Sequence, residues 1–342
     1  MEAEAVKTDM IIVGAGPVGL FAVFEAGLLG LKCHLIDNLD RPGGQCTELY
    51  PEKPIYDIPA RPKVTGQELI DDLMKQISPF DPVFHLNQQA KALKKLADNR
   101  WRMTTSEGEV LEAPIVVVAA GAGSFVPKKP KYPDLEVYEE KSIDYSVYKM
   151  NKYQDKELVI VGGGDSALDW VLGLEPLAKK ITLVHRREGF RAAPDTEAQF
   201  KQLVADGKVD FVMGNVKALN GSDGQLSSVG IETVEGDFVE VSCDYMLPFM
   251  GLKISLGPIV EWGLNLDRKH ITVSTETFAT DIEGIYAIGD VCTYPAKIKL
   301  ILTGFYEAAV MCHGAFKYAF PDRKMATGYT TTNTAIQERL GV

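Results

Sequence analysis

The sequence predicts an α/β fold in which one parallel-sheet unit is interrupted by a second unit of the same kind. Three observations lead there. Two apolar strands each run into a glycine-rich turn and then a helix, at Met10–Gly19 and at Leu158–Ala167. The strand after each turn ends in opposite charge, Asp37 in the first case and His185-Arg186-Arg187 in the second. A third strand near the end, Thr280–Asp290, places Gly289 and Asp290 at its C-terminal end and returns the chain to the first unit.

The first turn reads Gly14-Ala15-Gly16-Pro17-Val18-Gly19, a G-x-G-x-x-G loop opening a helix from about Pro17 to Leu29. Its glycines let backbone N–H groups approach a pyrophosphate at the helix N-terminus. The next strand, Lys32–Ile36, delivers Asp37, whose carboxylate can accept hydrogen bonds from ribose hydroxyls. The second turn, Gly162-Gly163-Gly164-Asp165-Ser166-Ala167, has the G-x-G-x-x-A form. Its following strand, Ile181–Val184, ends in His185, Arg186 and Arg187, with Arg191 close behind. Guanidinium forks there grip a 2′-phosphate that a carboxylate would repel. The first site therefore suits an unphosphorylated ribose and the second NADP(H). The fold class is two Rossmann-like dinucleotide-binding domains.

Between the two turns, the loop Arg41–Tyr50 is followed by Pro51, Pro54, Pro59 and Pro62, a stretch unsuited to helix or central strand. Ordered loops of this length are usually functional. Thr65 caps a helix running to about Ile77. Short strands follow near Val83–Leu86, Ala90–Lys94, Trp101–Thr105 and Val110–Leu111, and the buried run Ile115–Val118 ends in Gly121-Ala122-Gly123. Pro127–Pro133 reads as a linker. The expected division is residues 1–122 and 247–342 for a discontinuous first domain, with 123–246 inserted. A helix from about Leu300 to Tyr318 precedes a tail carrying Tyr329, Thr330, Thr331, Thr332 and Thr334.

With 342 residues the chain is long enough for two domains, each with its own core. Its 46% hydrophobic and 24% charged residues describe a globular protein, and its net charge of −11 argues against a nucleic-acid partner. It has no apolar run of roughly 18 residues and no signal-peptide pattern at its start, so no membrane is expected and a cytoplasmic location is. Five cysteines, Cys33, Cys46, Cys243, Cys292 and Cys312, show neither C-x-x-C nor metal-ligand spacing.

With both fingerprints, Gly44-Gln45 and the Gly284–Asp290 motif in this order, the chain resembles the two-dinucleotide flavoproteins of the low-molecular-weight thioredoxin reductase type. That resemblance implies FAD in the discontinuous domain, its adenosine end near Gly14, Gly16, Pro17, Gly19 and Asp37, and Asp290 on the ribityl chain. One departure is decisive: where such reductases carry C-x-x-C before the second fingerprint, this chain has Ser142–Tyr148. The C-x-x-x-x-C pair of glutathione-reductase relatives is absent too, since Cys46 fills its first place and Pro51 its second. Electrons must then leave the flavin directly. With Gly43-Gly44-Gln45, Tyr50-Pro51-Glu52-Lys53 and Gly163–Trp170, the chain closely resembles the thioredoxin-reductase-like ferredoxin:NADP+ reductases of bacteria, which are homodimers.

By this likeness, FAD mediates between hydride transfer with NADP(H) and one-electron transfer with ferredoxin or flavodoxin. Tyr50 either stacks on the flavin or anchors the proline loop, and Tyr329 covers the other face, with Thr330 or Thr331 near the ring edge. Gln45 either hydrogen-bonds the flavin or caps its loop. Phe125 borders the ring or packs in the core; Ala90 meets adenine through its backbone or is core as well. For NADPH the set is Gly162, Gly164, Asp165, Ser166, Ala167, His185, Arg186, Arg187 and Arg191. No acid-base residue is obligatory. An acidic ferredoxin would need a local basic face, for which Lys128, Lys129, Lys131, Lys297, Lys299, Arg323 and Lys324 are candidates. Alternatives left open are an NADPH-dependent flavin reductase or diaphorase, a disulfide reductase using Cys46, and a nucleotide sensor without turnover.

Overall fold

The computed structural model describes residues 5–139, 141–325 and 330–341. The chain divides into two compact units, residues 1–124 with 254–342, and residues 125–253. The seams fall at 124/125 and 253/254 rather than 122/123 and 246/247, because Tyr245–Pro248 is a strand of the second unit's sheet.

The first unit is built on a five-stranded parallel sheet in the order Ile285–Ala287, Ile115–Val118, Met10–Val13, Cys33–Ile36, Val83–His85. Side chains alternate across a strand, so each apolar run serves two cores. Met10, Ile12, Ile115 and Val117 pack with Leu20, Val23 and Met311 from helices. Ile11, Val13, Val116 and Val118 pack on the other face with Met103 and Leu111 from a four-stranded sheet of Val6–Lys7, Val110–Ala113, Trp101–Thr105 and Ala90–Lys95. Burial on both faces is why these strands read as unbroken apolar runs.

The helix Gly66–Ile77 starts as its sequence predicts. Thr65 Oγ1 accepts from the Glu68 N–H at 3.2 Å, while the Glu68 carboxylate accepts from the Thr65 N–H at 2.8 Å, a complete capping box. Its first turn also donates to the proline-rich loop: Gly66 N–H to Lys53 O at 3.2 Å and Gln67 N–H to Pro51 O at 2.8 Å. That loop is not wholly irregular, since Pro54–Ile55 pairs antiparallel with Val64–Thr65. The Thr280–Asp290 run is mostly not strand. Only Ile285–Ala287 pairs, and Gly289–Val291 forms a 3-10 turn beyond it.

The second unit has a six-stranded sheet in the order Phe238–Ser242, Gln225–Thr233, Val209–Ser222, Lys180–His185, Glu157–Val161, Tyr245–Pro248. The last four in that order are mutually parallel, and the first three form antiparallel pairs. Helices Asp165–Leu174 and Pro194–Ala205 follow the strands Glu157–Val161 and Lys180–His185. Each unit thus presents one glycine-rich turn at the C-terminal end of its parallel strands, where open α/β sheets bind ligands.

Candidate functional site

In the first unit, Gly14 leaves its strand at φ +110°, and a Cβ there would lie 2.4 Å from the Ala119 carbonyl oxygen. A Cβ on Gly19 would meet the Gly14 carbonyl oxygen at 2.1 Å, so the helix presses directly on the turn. Gly16, the N-cap, has open space where its Cβ would be and no side chain to satisfy the first-turn N–H groups, and Pro17 follows at N1. These are the features of a backbone cradle for a pyrophosphate.

Asp37 is buried at 8% exposure beside this turn. One carboxylate oxygen accepts from the Ala15 N–H at 2.7 Å and the other from the Leu39 N–H at 3.0 Å. Burial raises its pKa above the ordinary carboxylate value, a rise that the backbone N–H groups offset only in part. The carboxylate is thereby fixed with lone pairs to spare for a ribose.

The second loop closes onto the first. Gly43 N–H donates to Ala15 O at 2.8 Å, and a Cβ on Gly44 would stand 3.2 Å from Gly16 Cα. Gly44, at φ +57°, opens a single helical turn, Gln45–Glu48, which sequence reading missed because one turn leaves no periodicity. Beyond it, the Tyr50 hydroxyl lies 3.8 Å from Cys46 Sγ. Burial is the main cause holding the phenol un-ionised, with smaller contributions from Cys46 and from the negative charge of Asp290. Gly14, Gly16, Pro17, Gly19, Asp37, Gly44, Gln45, Tyr50 and Asp290 thus converge within one unit.

Gln88 joins them without having been expected. Its N–H donates to Asp37 O at 3.0 Å, and its side chain hydrogen-bonds Glu109. Its Oε1 is buried and has no protein partner. A buried acceptor left over on a residue whose backbone is bonded to Asp37 is of the kind that the exocyclic amine of an adenine would satisfy. Nothing local in the sequence marks this glutamine.

Ala90 begins a strand and is buried in the second core of its unit. Phe125 is half-buried in the crossing strand Ser124–Pro127 and belongs to the inserted unit. Thr330 and Thr331 are exposed in the turn before the last helix, and Tyr329 lies outside the described residues.

In the second unit, a Cβ on Gly162 would lie 2.7 Å from Phe249 O and 2.9 Å from Ala167 Cβ. Gly164 is the N-cap of Asp165–Leu174, Ala167 is buried, and Ser166 is exposed in the first turn. The Asp165 carboxylate accepts from the Ala193 N–H at 3.0 Å, so this residue fastens the arginine loop to the helix start. Arg191 N–H donates to Gly163 O at 2.7 Å. The loop is also anchored from below: Phe190 stacks on His185 at 5.4 Å and packs edge-on to Phe200 at 5.2 Å. The His185 ring fills the space beside Gly163, where a Cβ would come within 2.3 Å of it. Arg186, Arg187 and Arg191 are exposed on this loop, and none forms an ion pair with a carboxylate among the described residues.

All five cysteines are buried and unpaired. Burial raises the Cys46 pKa to about 11 and the Cys243 pKa to about 12. In the Ser142–Tyr148 region the buried Ser142 hydroxyl donates to Gly224 O at 2.9 Å, an ordinary structural bond. Among the described residues no cluster suits a metal, and no helix is long and apolar enough to cross a membrane. Of the basic residues suggested for docking, Lys297 is not available: its side chain is 6% exposed and paired with Glu307. Lys129 is paired with Glu139 at 2.8 Å.

The family model described as pyridine nucleotide-disulphide oxidoreductase matches residues 8–313. A protein of Nitrobacter hamburgensis named ferredoxin–NADP reductase is 55% identical over 340 residues, 99% of each chain. One of the same name from Parvibaculum lavamentivorans is 53% identical over 342 residues, 100% of each. Thioredoxin reductase of Lactococcus lactis, in its FR conformation, shares the fold at a TM-score of 0.72 and 22% identity, over 92% of this chain and 99% of that one. Thioredoxin reductase of T. acidophilum gives a TM-score of 0.74 at 18% identity, over 91% and 98%. With two intact dinucleotide turns and a family match spanning both, this chain belongs to the pyridine nucleotide-disulphide oxidoreductase family.

Proposed function

We propose that the protein is a ferredoxin:NADP+ oxidoreductase that holds FAD in the discontinuous unit and binds NADP(H) in the inserted one. The observation that carries this reading is the pairing of two glycine-rich strand-to-helix turns with the burial of all five thiols. Cys46 is 1% exposed with its pKa raised to about 11, so at neutral pH it offers almost no thiolate to relay electrons. Full-length relatives with no more than about half of their residues changed carry the ferredoxin–NADP reductase name.

The FAD pyrophosphate would rest on the N–H groups of the Gly14–Gly19 turn, with the adenosine ribose on Asp37, the adenine amine on Gln88 Oε1, and the ribityl chain on Asp290. Tyr50 and Gln45 are assigned to the isoalloxazine end, with Tyr329, Thr330 and Thr331 completing it from the tail. When bound, FAD supplies the exchange between two-electron hydride transfer and one-electron transfer. The chain's own residues orient and enclose. The Gly162–Ala167 turn, with Asp165 and Ser166, takes the NADP(H) pyrophosphate, and Arg186, Arg187 and Arg191 take its 2′-phosphate. The reading extends to a cytoplasmic homodimer that accepts flavodoxin as an alternative partner.

The test is anaerobic. NADPH should bleach the flavin band of the purified protein, and oxidised ferredoxin should restore it. Bleaching that no ferredoxin reverses, while a quinone or free flavin does, replaces the reading with a diaphorase.

A further inference from the structure

Beyond the residues that would face the cofactor, one buried carboxylate is tied to the Asp290 turn from behind. The ladder of Ile285–Ala287 ends when Ile288 N–H donates to Val118 O at 3.0 Å. The next amide, on the buried Gly289 at φ +77°, has no strand left to pair with. It donates instead to Glu307 Oε2 at 2.6 Å. Glu307 comes from the long helix Ile301–Ala319 and is 0% exposed. Its other oxygen accepts from the Tyr294 hydroxyl at 2.7 Å and is paired with the Lys297 ammonium, and Cys292 Sγ lies 3.7 Å from Oε2.

A fully buried carboxylate is expensive unless its charge and lone pairs are met. Here Lys297, 6% exposed and 5.4 Å from the centre of the Tyr294 ring, meets the charge. Gly289 and Tyr294 meet the lone pairs. Removing either ion alone would leave the other stranded, so a stable replacement must change both. A wholly apolar replacement would offer no acceptor to Gly289 N–H. That amide begins the 3-10 turn Gly289–Val291, and the next residue is Asp290.

We propose that Glu307, held by Lys297 and Tyr294, is the positioning residue that sets Asp290 against the ribityl chain of the flavin. It acts through the Gly289 amide and touches no cofactor atom itself. The inference rests on the flavin reading given above. A charge-assisted bond to a buried amide is the contact at stake, so its loss reads as about a 10- to 100-fold change in flavin retention.

The experiment measures FAD release from the purified holoprotein by recovery of flavin fluorescence on dilution, with far-ultraviolet circular dichroism confirming that each variant is folded. Glu307→Gln alone leaves the Lys297 ammonium uncompensated, and FAD release should rise at least about tenfold. Glu307→Gln with Lys297→Met removes the stranded cation yet keeps an amide oxygen for Gly289, and release should return to within about threefold of the unaltered protein. Glu307→Leu with Lys297→Met packs well but offers no acceptor, and release should stay fast. A purely structural ion pair predicts the opposite for that last variant. If folded Glu307→Leu/Lys297→Met protein keeps FAD as tightly as the unaltered protein, the proposal is wrong. An unaltered protein that is colourless overturns the flavin reading itself, a separate result.

Discussion

Arg187→Ala isolates the part of the second site that distinguishes two nucleotides differing by one phosphate. Arg187 is exposed, has no carboxylate partner among the described residues, and sits on a loop whose position is set by Phe190 and by the Arg191–Gly163 backbone bond. Removing its side chain therefore disturbs neither packing nor an ion pair, and stability should change by no more than about 0.5 kcal/mol. What disappears is a charge-assisted contact to the 2′-phosphate, about 1.5–3 kcal/mol, or about a 10- to 150-fold rise in the NADP+ dissociation constant. NAD+, which carries a hydroxyl there, should bind within about twofold of its original strength. Titration calorimetry on the holoprotein gives both constants, and repeating it at higher salt should narrow the NADP+ difference as the exposed charges are screened. Equal weakening of both nucleotides would refute the assignment, because it would place Arg187 on the pyrophosphate or make it a scaffold.

Gly163→Ala should do what the arginine change does not: its Cβ would come within 2.3 Å of the His185 ring, so the turn or the ring must shift and both nucleotides should weaken together. A selective loss of NADP+ alone would contradict that geometry. The His185 pKa is lowered chiefly by burial and further by Arg186, Arg187 and Arg191, against a Gly189 contact that raises it. Its folded value thus lies below the unfolded one near 6.5, so its stabilising contribution is present above that pH and is lost as pH falls through the folded value. Thermal melts of the unaltered protein and of His185→Gln should therefore converge as pH falls below about 6.5, whereas a pH-independent gap would count against the assignment. Finally, with all five thiols buried, native protein should react with a disulfide reagent at well under one thiol per chain, and Cys46→Ser should keep full ferredoxin turnover. Rapid labelling of Cys46, or loss of turnover in that variant, would reinstate a thiol relay.

The two turns and the charges after them were legible because each is local. A buried parallel strand shows as an unbroken apolar run, and the discriminating residue follows at a fixed spacing. Thr65 and Glu68 announce a capping box three residues apart. What stayed hidden depends on distant partners or on too few residues. Glu307 in an apolar helix reads as an isolated charge until the fold brings Gly289, Tyr294 and Lys297 to it. Lys297 for the same reason looked like a surface lysine. Gln88 acquires meaning only from its place beside Asp37 and its bond to Glu109. The Thr280–Asp290 run was overextended as strand because apolar residues continue through Ile288, although the hydrogen-bonded ladder is far shorter.

The capped helix start at Thr65–Glu68 has a consequence for how this protein can change over time. Its leading amides are spent on the carbonyls of Pro51 and Lys53, and a Cβ on Gly66 would lie 2.7 Å from the carbonyl of Tyr50. The base of the proline hairpin is therefore clasped, and beyond it Ile58 is buried at 8% exposure and Arg61 is paired with Asp72, while Tyr56 between these anchors is 67% exposed. Insertions beside Tyr56, between these anchors, cost chiefly chain entropy, about 0.6 kcal/mol for each doubling of length, and leave the seat of Tyr50 undisturbed. A side chain at position 66 would unseat it at once.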